Sequence, residues 1–314
     1  MRKRRLWADL ALLMVAFIWG VAFVVQWVAA AEVQAFVFNG VRFLLGALVI
    51  LPFAFIRPGG GADPGKPGWR FTGFANNKCL PGVWLSGMLL ACGAAFQQIG
   101  IKYTTASNAG FITGLYVVLI PIFLAFGGRR RMPRPVVWAA ALLSALGLFL
   151  LSTGGRLQVN RGDMLVMVSA VFWTFHVILI DWLVRRVEVM QLAVGQYIVC
   201  GLASLGLGLY LEPGVLQPLL SNWRLLAFMG IISVGLGYTL QAVGQRVAPP
   251  ADTAIILSME AVFAALGGWL LLGESLTPLQ LLGCGSILLG MLLAQWEVIV
   301  GKRQAALEAG GQHI

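Results

Sequence analysis

The chain has 314 residues, 59% of them hydrophobic and 11% charged, with a net charge of +10 and a mean hydropathy of +0.87. A soluble domain carries about 25% charged residues, so this composition excludes a water-soluble globular protein and makes lipid the solvent. The basic balance does not point to nucleic acid, because in a membrane chain it marks loops that face anionic lipid.

Ten apolar stretches follow one another, at 7–29, 34–56, 81–101, 107–127, 135–153, 162–184, 190–211, 222–244, 252–272 and 278–299. Each can cross a hydrocarbon core of ~30 Å at ~1.5 Å per residue. The first opens on Arg2-Lys3-Arg4-Arg5 and runs to Ala29-Ala30-Ala31, the outline of a signal peptide and its cleavage site. Its apolar run is longer than the ~7–15 residues of such a signal, and a counterpart recurs later in the chain, so it reads as a retained span. Most connections are short and hold Gly, Pro or charge. The exception is 57–79, basic and rich in Gly and Pro, which reads as a flexible cytoplasmic loop. The polar tail from Gly301 reads as solvated. Cys79, Cys92, Cys200 and Cys284 are scattered without a CxxC pair, which supports neither a zinc site nor a disulfide framework. No metal or cofactor is expected.

Orientation follows from the basic residues. With the N-terminus in the cytoplasm, 17 of the 22 Lys and Arg fall in inside segments and four outside, while Arg42 lies within a span. That bias is the positive-inside pattern. An even number of spans returns the C-terminus to the cytoplasm, giving a multi-pass protein of a bacterial-type inner (plasma) membrane.

The second five spans repeat the first five. Asp9, Ala16 and Trp19 align at one offset with Asp163, Ala170 and Trp173. Pro121-Ile-Phe123-Leu-Ala125 aligns with Ala261-Val-Phe263-Ala-Ala265, with about one extra helical turn in the first half between Asn108 and Pro121. The basic turn Gly128–Pro133 aligns with the acidic Gly273–Pro278, and the small-residue stripe Ala140–Gly147 with Gly283–Gly290. Five spans separate the copies, so they enter the membrane from opposite faces. The expected fold is an all-α integral membrane protein of ten helices, built as two inverted-topology repeats, 1–153 and 154–299, with a cytoplasmic tail at 300–314. Trp19 and Trp173 lie ten residues, ~15 Å, beyond their Asp partners and should both reach the midplane. There they suit a cavity wall or plain packing. The small stripes on spans 5 and 10 let helices approach closely, within one chain or between two chains of a homodimer.

An ionisable residue at a helix centre costs at least ~2.5–3.5 kcal/mol on insertion scales and needs a partner or a wet cavity. Glu260 and His176 both lie eight or nine residues from the inner face. They are the candidates for substrate binding and proton coupling, and could meet across a cavity and share a proton; a structural hydrogen bond is the alternative for Glu260. Arg42 reads as structural, snorkelling or bonded to a carbonyl, and Asp181–Arg185 as a plain helix pair. Gln97, Gln98, Thr113, Tyr116, Ser233, Tyr238, Thr239 and Gln241 offer neutral hydrogen bonds, with Gln98 and Gln241 related by the repeat. The expected substrate site combines Trp19, Trp173, His176, Gln98, Tyr116, Tyr238, Gln241 and Glu260.

Phe17-Ile-Trp19-Gly20, Ser107–Tyr116, Ile256–Ala265 and Leu272-Gly273-Glu274 together resemble the drug/metabolite transporter superfamily in its EamA-type branch of ten-helix carriers. The resemblance covers nearly the whole chain. Ala261 stands where that family usually has Pro, and Arg129 where its first half often has Glu, so conformational detail carries over less well than the fold. The resemblance implies a carrier of small metabolites, often an exporter.

The aromatic cavity and scarcity of intramembrane charge suit neutral or zwitterionic amphiphiles of amino-acid type better than polyanions. Alternating access between the halves is the expected mechanism. No GxxxxGK[ST] loop is present, so ions, protons or exchange would drive it. An integral-membrane enzyme would need metal or catalytic motifs, such as DDxxD or HExxH, that the sequence lacks. A scaffold or receptor would call for an exposed signalling domain.

Overall fold

The computed structural model describes residues 2–60, 67–71, 77–126, 133–153, 160–212, 214, 216–272 and 275–310. Ten membrane helices account for almost all of it, because in hydrocarbon the backbone must satisfy its own hydrogen bonds. They are α1 (Arg2–Glu32), α2 (Ala35–Phe55), α3 (Leu80–Ile101), α4 (Ala106–Gly114 and Tyr116–Phe126) and α5 (Pro135–Thr153) in the first half. The second half holds α6 (Arg161–Leu183), α7 (Val189–Leu211), α8 (Trp223–Ala227, Phe228–Tyr238 and Thr239–Gln245), α9 (Pro250–Leu257 and Met259–Leu272) and α10 (Pro278–Gly310). Nine have an apolar stretch long enough to cross a bilayer among the described residues, and α5 is the short one. Large apolar side chains such as Leu48, Phe53, Trp84 and Leu202 point outward from the bundle, as a lipid solvent requires.

Two segments differ from expectation. The 57–79 connection contains an antiparallel ribbon, β1 (Ile56–Gly60) paired with β2 (Pro67–Phe71), with Pro58 opposite Trp69. Gly and Pro hid a pairing that only the two strands together can make. The last helix continues to Gly310, through residues set aside above as tail; Lys302–Ala309 is rich in Ala, Gln, Leu and Glu, which are good helix formers. The opposite-charge turns at 128–132 and 273–274 lie outside the described residues.

The halves interleave rather than sit side by side. α2 packs on α7 and α5 on α10, each a helix against its own repeat counterpart. The remaining contacts come in related pairs: α3 on α6 and α8 on α1, α4 on α6 and α9 on α1, α3 on α7 and α8 on α2. That reciprocity is what a two-fold relation between inverted repeats produces.

The α5–α10 seam lies within one chain. A Cβ on Gly147 would stand 2.6 Å from the carbonyl oxygen of Gly283, and one on Gly283 at 2.6 Å from the Gly147 carbonyl oxygen. The two backbones therefore touch, a spacing only glycine permits.

Overpacking of this kind costs about 1–3 kcal/mol. Gly283→Val should lower the thermal midpoint of the purified protein in detergent by several degrees. Gly285→Val, where a Cβ meets nothing within 4 Å, should leave it unchanged.

Candidate functional site

Two helices are broken at mid-length, one in each half. α4 is interrupted at Leu115, whose N–H reaches only back to the carbonyls of Ile112 and Thr113. α9 is interrupted at Ser258, whose hydroxyl donates to the Ile255 carbonyl while its own carbonyl accepts from Ala261. Measured on the Pro121–Ala261 alignment, the breaks lie three residues apart, close to the extra turn read from the sequence. Discontinuous helices in corresponding positions of inverted repeats mark the place where a carrier binds its cargo.

Just beyond each break stands a polar side chain. Tyr116 donates its hydroxyl to a Glu260 carboxylate oxygen at 3.0 Å, and both are buried. Glu260 is the eleventh residue of α9, ~15 Å along its axis, so the bond ties the halves together near the midplane. α1 passes close by, because a Cβ on Gly20 would meet Phe263 Cβ at 2.5 Å and the Glu260 carbonyl oxygen at 2.8 Å. This brings Trp19 against the site.

The aromatic wall is built on α8, whose central segment Phe228–Tyr238 is a π-helix. Within it, the Ser233 carbonyl accepts the Trp19 indole N–H at 3.1 Å. Tyr238 contacts both tryptophans, with centroids 4.6 Å from Trp19 and 5.9 Å from Trp173. One ring thus receives the repeat-related pair from opposite halves, at one depth. Tyr197, whose hydroxyl bonds Thr239 at 3.0 Å, and Phe43 pack behind Tyr238.

These groups border a narrow central cavity of about 40 Å³, room for a few waters and well below the size of a site closed around a small molecule. Trp19, Trp173, Tyr116, Tyr238, Gln241 and Glu260 line it, as do Gln97, Thr113 and Ser233. Gln97 donates to the Thr113 hydroxyl at 3.0 Å. His176 and Gln98, expected in the site, do not line it. His176 Nε2 lies 2.9 Å from Gln196 Oε1 on α7, edge-on behind Trp173 and Tyr238. The expected meeting of His176 with Glu260 is therefore not made: their hydrogen bonds go to Gln196 and Tyr116. Gln98 donates to the Gln26 carbonyl at 3.2 Å and borders a second recess with Glu32, Lys102 and Glu212.

Arg42, read from the sequence as structural, lines the pocket. Its guanidinium donates to Gln26 Oε1 at 3.1 Å and lies over Phe38 and Phe43. Among the described residues no carboxylate comes within 4 Å of it, and the ion pairs are formed elsewhere. Phe23 and Gln26, one and two turns beyond Trp19, also line the pocket; spacing from Trp19 on α1 was the signal that could have found them. No group of three His, Cys, Asp or Glu suited to a metal occurs among the described residues.

Polar staples close both ends of the bundle, each joining the two halves. At the end that holds the N-terminus, Arg5 forks between Asp9 at 2.8 Å and Asp252 at 2.9 Å. At the other, Thr104 donates to Asp163 at 2.5 Å, and Glu212 accepts from the backbone N–H groups of Phe36 and Val37. Asp9 and Asp163, aligned by the repeat, thus serve opposite ends. Asp181 and Arg185 form the expected local pair at 2.8 Å.

The model of the EamA-like transporter family matches this chain twice, over residues 6–153 and 160–296. An uncharacterized transporter of Archaeoglobus fulgidus is 32% identical over 302 residues, covering 94% of this chain and 88% of the relative. The threonine/homoserine exporter RhtA of Escherichia coli K12 is 27% identical over 263 residues, covering 80% and 78%. The uncharacterized inner membrane transporter YedA of the same strain is 24% identical over 298 residues, covering 93% and 90%. A solved crystal structure, 20% identical, covers 95% of this chain and 98% of its own with a TM-score of 0.73, a likeness of fold alone.

The central bond can be weighed by a double-mutant cycle. Tyr116→Phe should cost about 0.5–1.5 kcal/mol of stability, read by thermal unfolding in detergent. Once Glu260 is Gln, the same change should cost measurably less. Equal costs in the two backgrounds would mean that the bond does not couple α4 to α9.

Proposed function

Because the chain belongs to the EamA-like transporter family, within the drug/metabolite transporter superfamily, we propose that it is a secondary-active carrier. It exports small amphipathic solutes, neutral or zwitterionic and of amino-acid type, across a bacterial-type inner membrane with both termini in the cytoplasm. The relative RhtA, named for threonine and homoserine export, agrees with that solute class, and YedA, named as an inner membrane transporter, with that membrane.

The observation that carries the reading is the pocket between two broken helices of opposite halves, walled by Trp19, Trp173 and Tyr238 and bearing one carboxylate and one guanidinium. Aromatic faces suit an apolar side chain, and Gln97, Thr113 and Gln241 suit its polar groups. Rocking of the halves about this point opens one end at a time. The Arg5–Asp252 staple parts when the N-terminal end opens, and the Thr104–Asp163 and Glu212 staples part when the other does.

Glu260 is the group through which a proton gradient acts. Protonation removes its charge from the pocket, and its partner Tyr116 is a neutral hydroxyl that can turn to either form. His176 stands one ring behind the pocket and supports the aromatic wall.

Reconstitution into sealed vesicles tests this. The wild type should show saturable flux of at least one amino acid, accelerated by a pH gradient. Glu260→Gln should abolish the acceleration, whereas His176→Gln should change affinity and keep the response. Absence of saturable flux across a broad solute panel would rule out the carrier, and an undiminished pH response in Glu260→Gln would remove the coupling role.

A further inference from the structure

We propose that Arg42 is the receptor for a carboxylate group of the transported solute, so that the carrier selects acids over the corresponding amides and amines. The inference rests on the carrier reading and adds to it a polarity, with the anionic end of the solute held on α2.

Four observations carry it. Arg42 is 2% exposed, yet it lines the pocket. Among the described residues no carboxylate lies within 4 Å of its guanidinium, and its Nε–H has no acceptor. Among the described residues its one side-chain hydrogen bond goes to the neutral Gln26 amide oxygen, 3.1 Å from a terminal nitrogen. Phe38 and Phe43 place their ring centroids 5.2 and 5.1 Å from the guanidinium carbon. Aromatic rings at that range attract the cation and keep water from it, but they accept none of its in-plane N–H bonds.

A guanidinium that serves only to brace helices finds a carboxylate or several carbonyls. Here the cation is desolvated and its donor edge is left short of acceptors where it borders the cavity. A planar carboxylate matches that edge with two parallel hydrogen bonds and places a counter-charge directly on the guanidinium. A phosphate dianion would leave a surplus negative charge in a pocket that already holds Glu260. Lys would supply charge without the fork. Arg42 lies in the eighth position of α2, ~10 Å in from that helix's start, and Glu260 approaches from the other end of the bundle. The pocket therefore has distinct positive and negative poles.

The test is calorimetric binding to the purified protein in detergent. Probes are L-leucine, L-phenylalanine and L-threonine, their amides, their decarboxylated amines, the corresponding deaminated acids, and methyl phosphate. In the wild type at least one carboxylate-bearing probe should bind at least about tenfold more tightly than its amide. Arg42→Gln should erase that ratio, and Arg42→Lys should restore part of it. If Arg42 only braces α1 against α2, Arg42→Gln will lower the thermal midpoint and leave the ratio unchanged, which overturns the assignment. Should Arg42→Gln fail to fold, the wild-type series and Arg42→Lys still decide. Binding of acids and amides alike, binding of no carboxylate-bearing probe, or preference for methyl phosphate each overturns it. Vesicle flux separates this from the carrier reading. Saturable flux without acid preference sinks only the Arg42 assignment. Binding of acids with no flux of any probe sinks only the carrier.

Discussion

A carboxylate in the middle of a membrane protein needs a donor, and Glu260 takes it from the opposite half of the chain, 144 residues away in sequence. The hydroxyl of Tyr116 reaches it because both α4 and α9 are interrupted where they cross. An unbroken helix at either place would carry its side chains past the crossing in a different register. The broken helices, the contact at Gly20 that seats α1 beside α9, and the tryptophan that follows from that seat all depend on this meeting point. A buried polar pair of this kind is expensive if half satisfied, so the site has a strong preference for the arrangement in which the two halves face each other.

From that point the aromatic wall follows. α8 widens into a π-helix and presents the Ser233 carbonyl to Trp19, and π-helical turns recur at functional sites. Tyr238 then joins Trp19 of one half to Trp173 of the other. The pocket is therefore a product of the duplication: each half contributes a broken helix and a tryptophan, and neither encloses a pocket alone. The same duplication sets the ends, where Asp9 and Asp163 bind different partners on opposite surfaces. A central cavity with polar closures at both ends is an anatomy that the proposed alternating access would use.

Much of this was legible in the sequence. The ten spans, the inverted repeat and the midplane tryptophans follow from apolar length and one aligned offset. Glu260 and Tyr116 stood out as polar side chains in apolar helices. What failed was facing. Gln97 and Gln98 differ by one residue, or about 100° around a helix, and only Gln97 lines the pocket while its neighbour turns to the Gln26 carbonyl. His176 follows Trp173 by nearly a turn, yet Gln196 on α7 holds it behind the wall. Helical wheels could not settle either case, because α3 and α6 have almost no amphipathic pattern when lipid faces one side and apolar side chains the other. Arg42 was undervalued for a related reason: snorkelling is the usual fate of an intramembrane cation, and only coordinates reveal that its donor edge meets a pocket. The β1–β2 ribbon was hidden by Gly and Pro, which signal turns more strongly than strands.

The most direct test of a shared pocket that opens to one side at a time is thiol labelling at Ser233. With Cys79, Cys92, Cys200 and Cys284 replaced, Ser233→Cys would be probed in oriented vesicles by a membrane-impermeant reagent added to either face. The account predicts labelling from both faces, with saturating transported solute slowing both by at least about tenfold as the occupied pocket shields the thiol. Labelling from neither face, or from one face only under every condition, would contradict it.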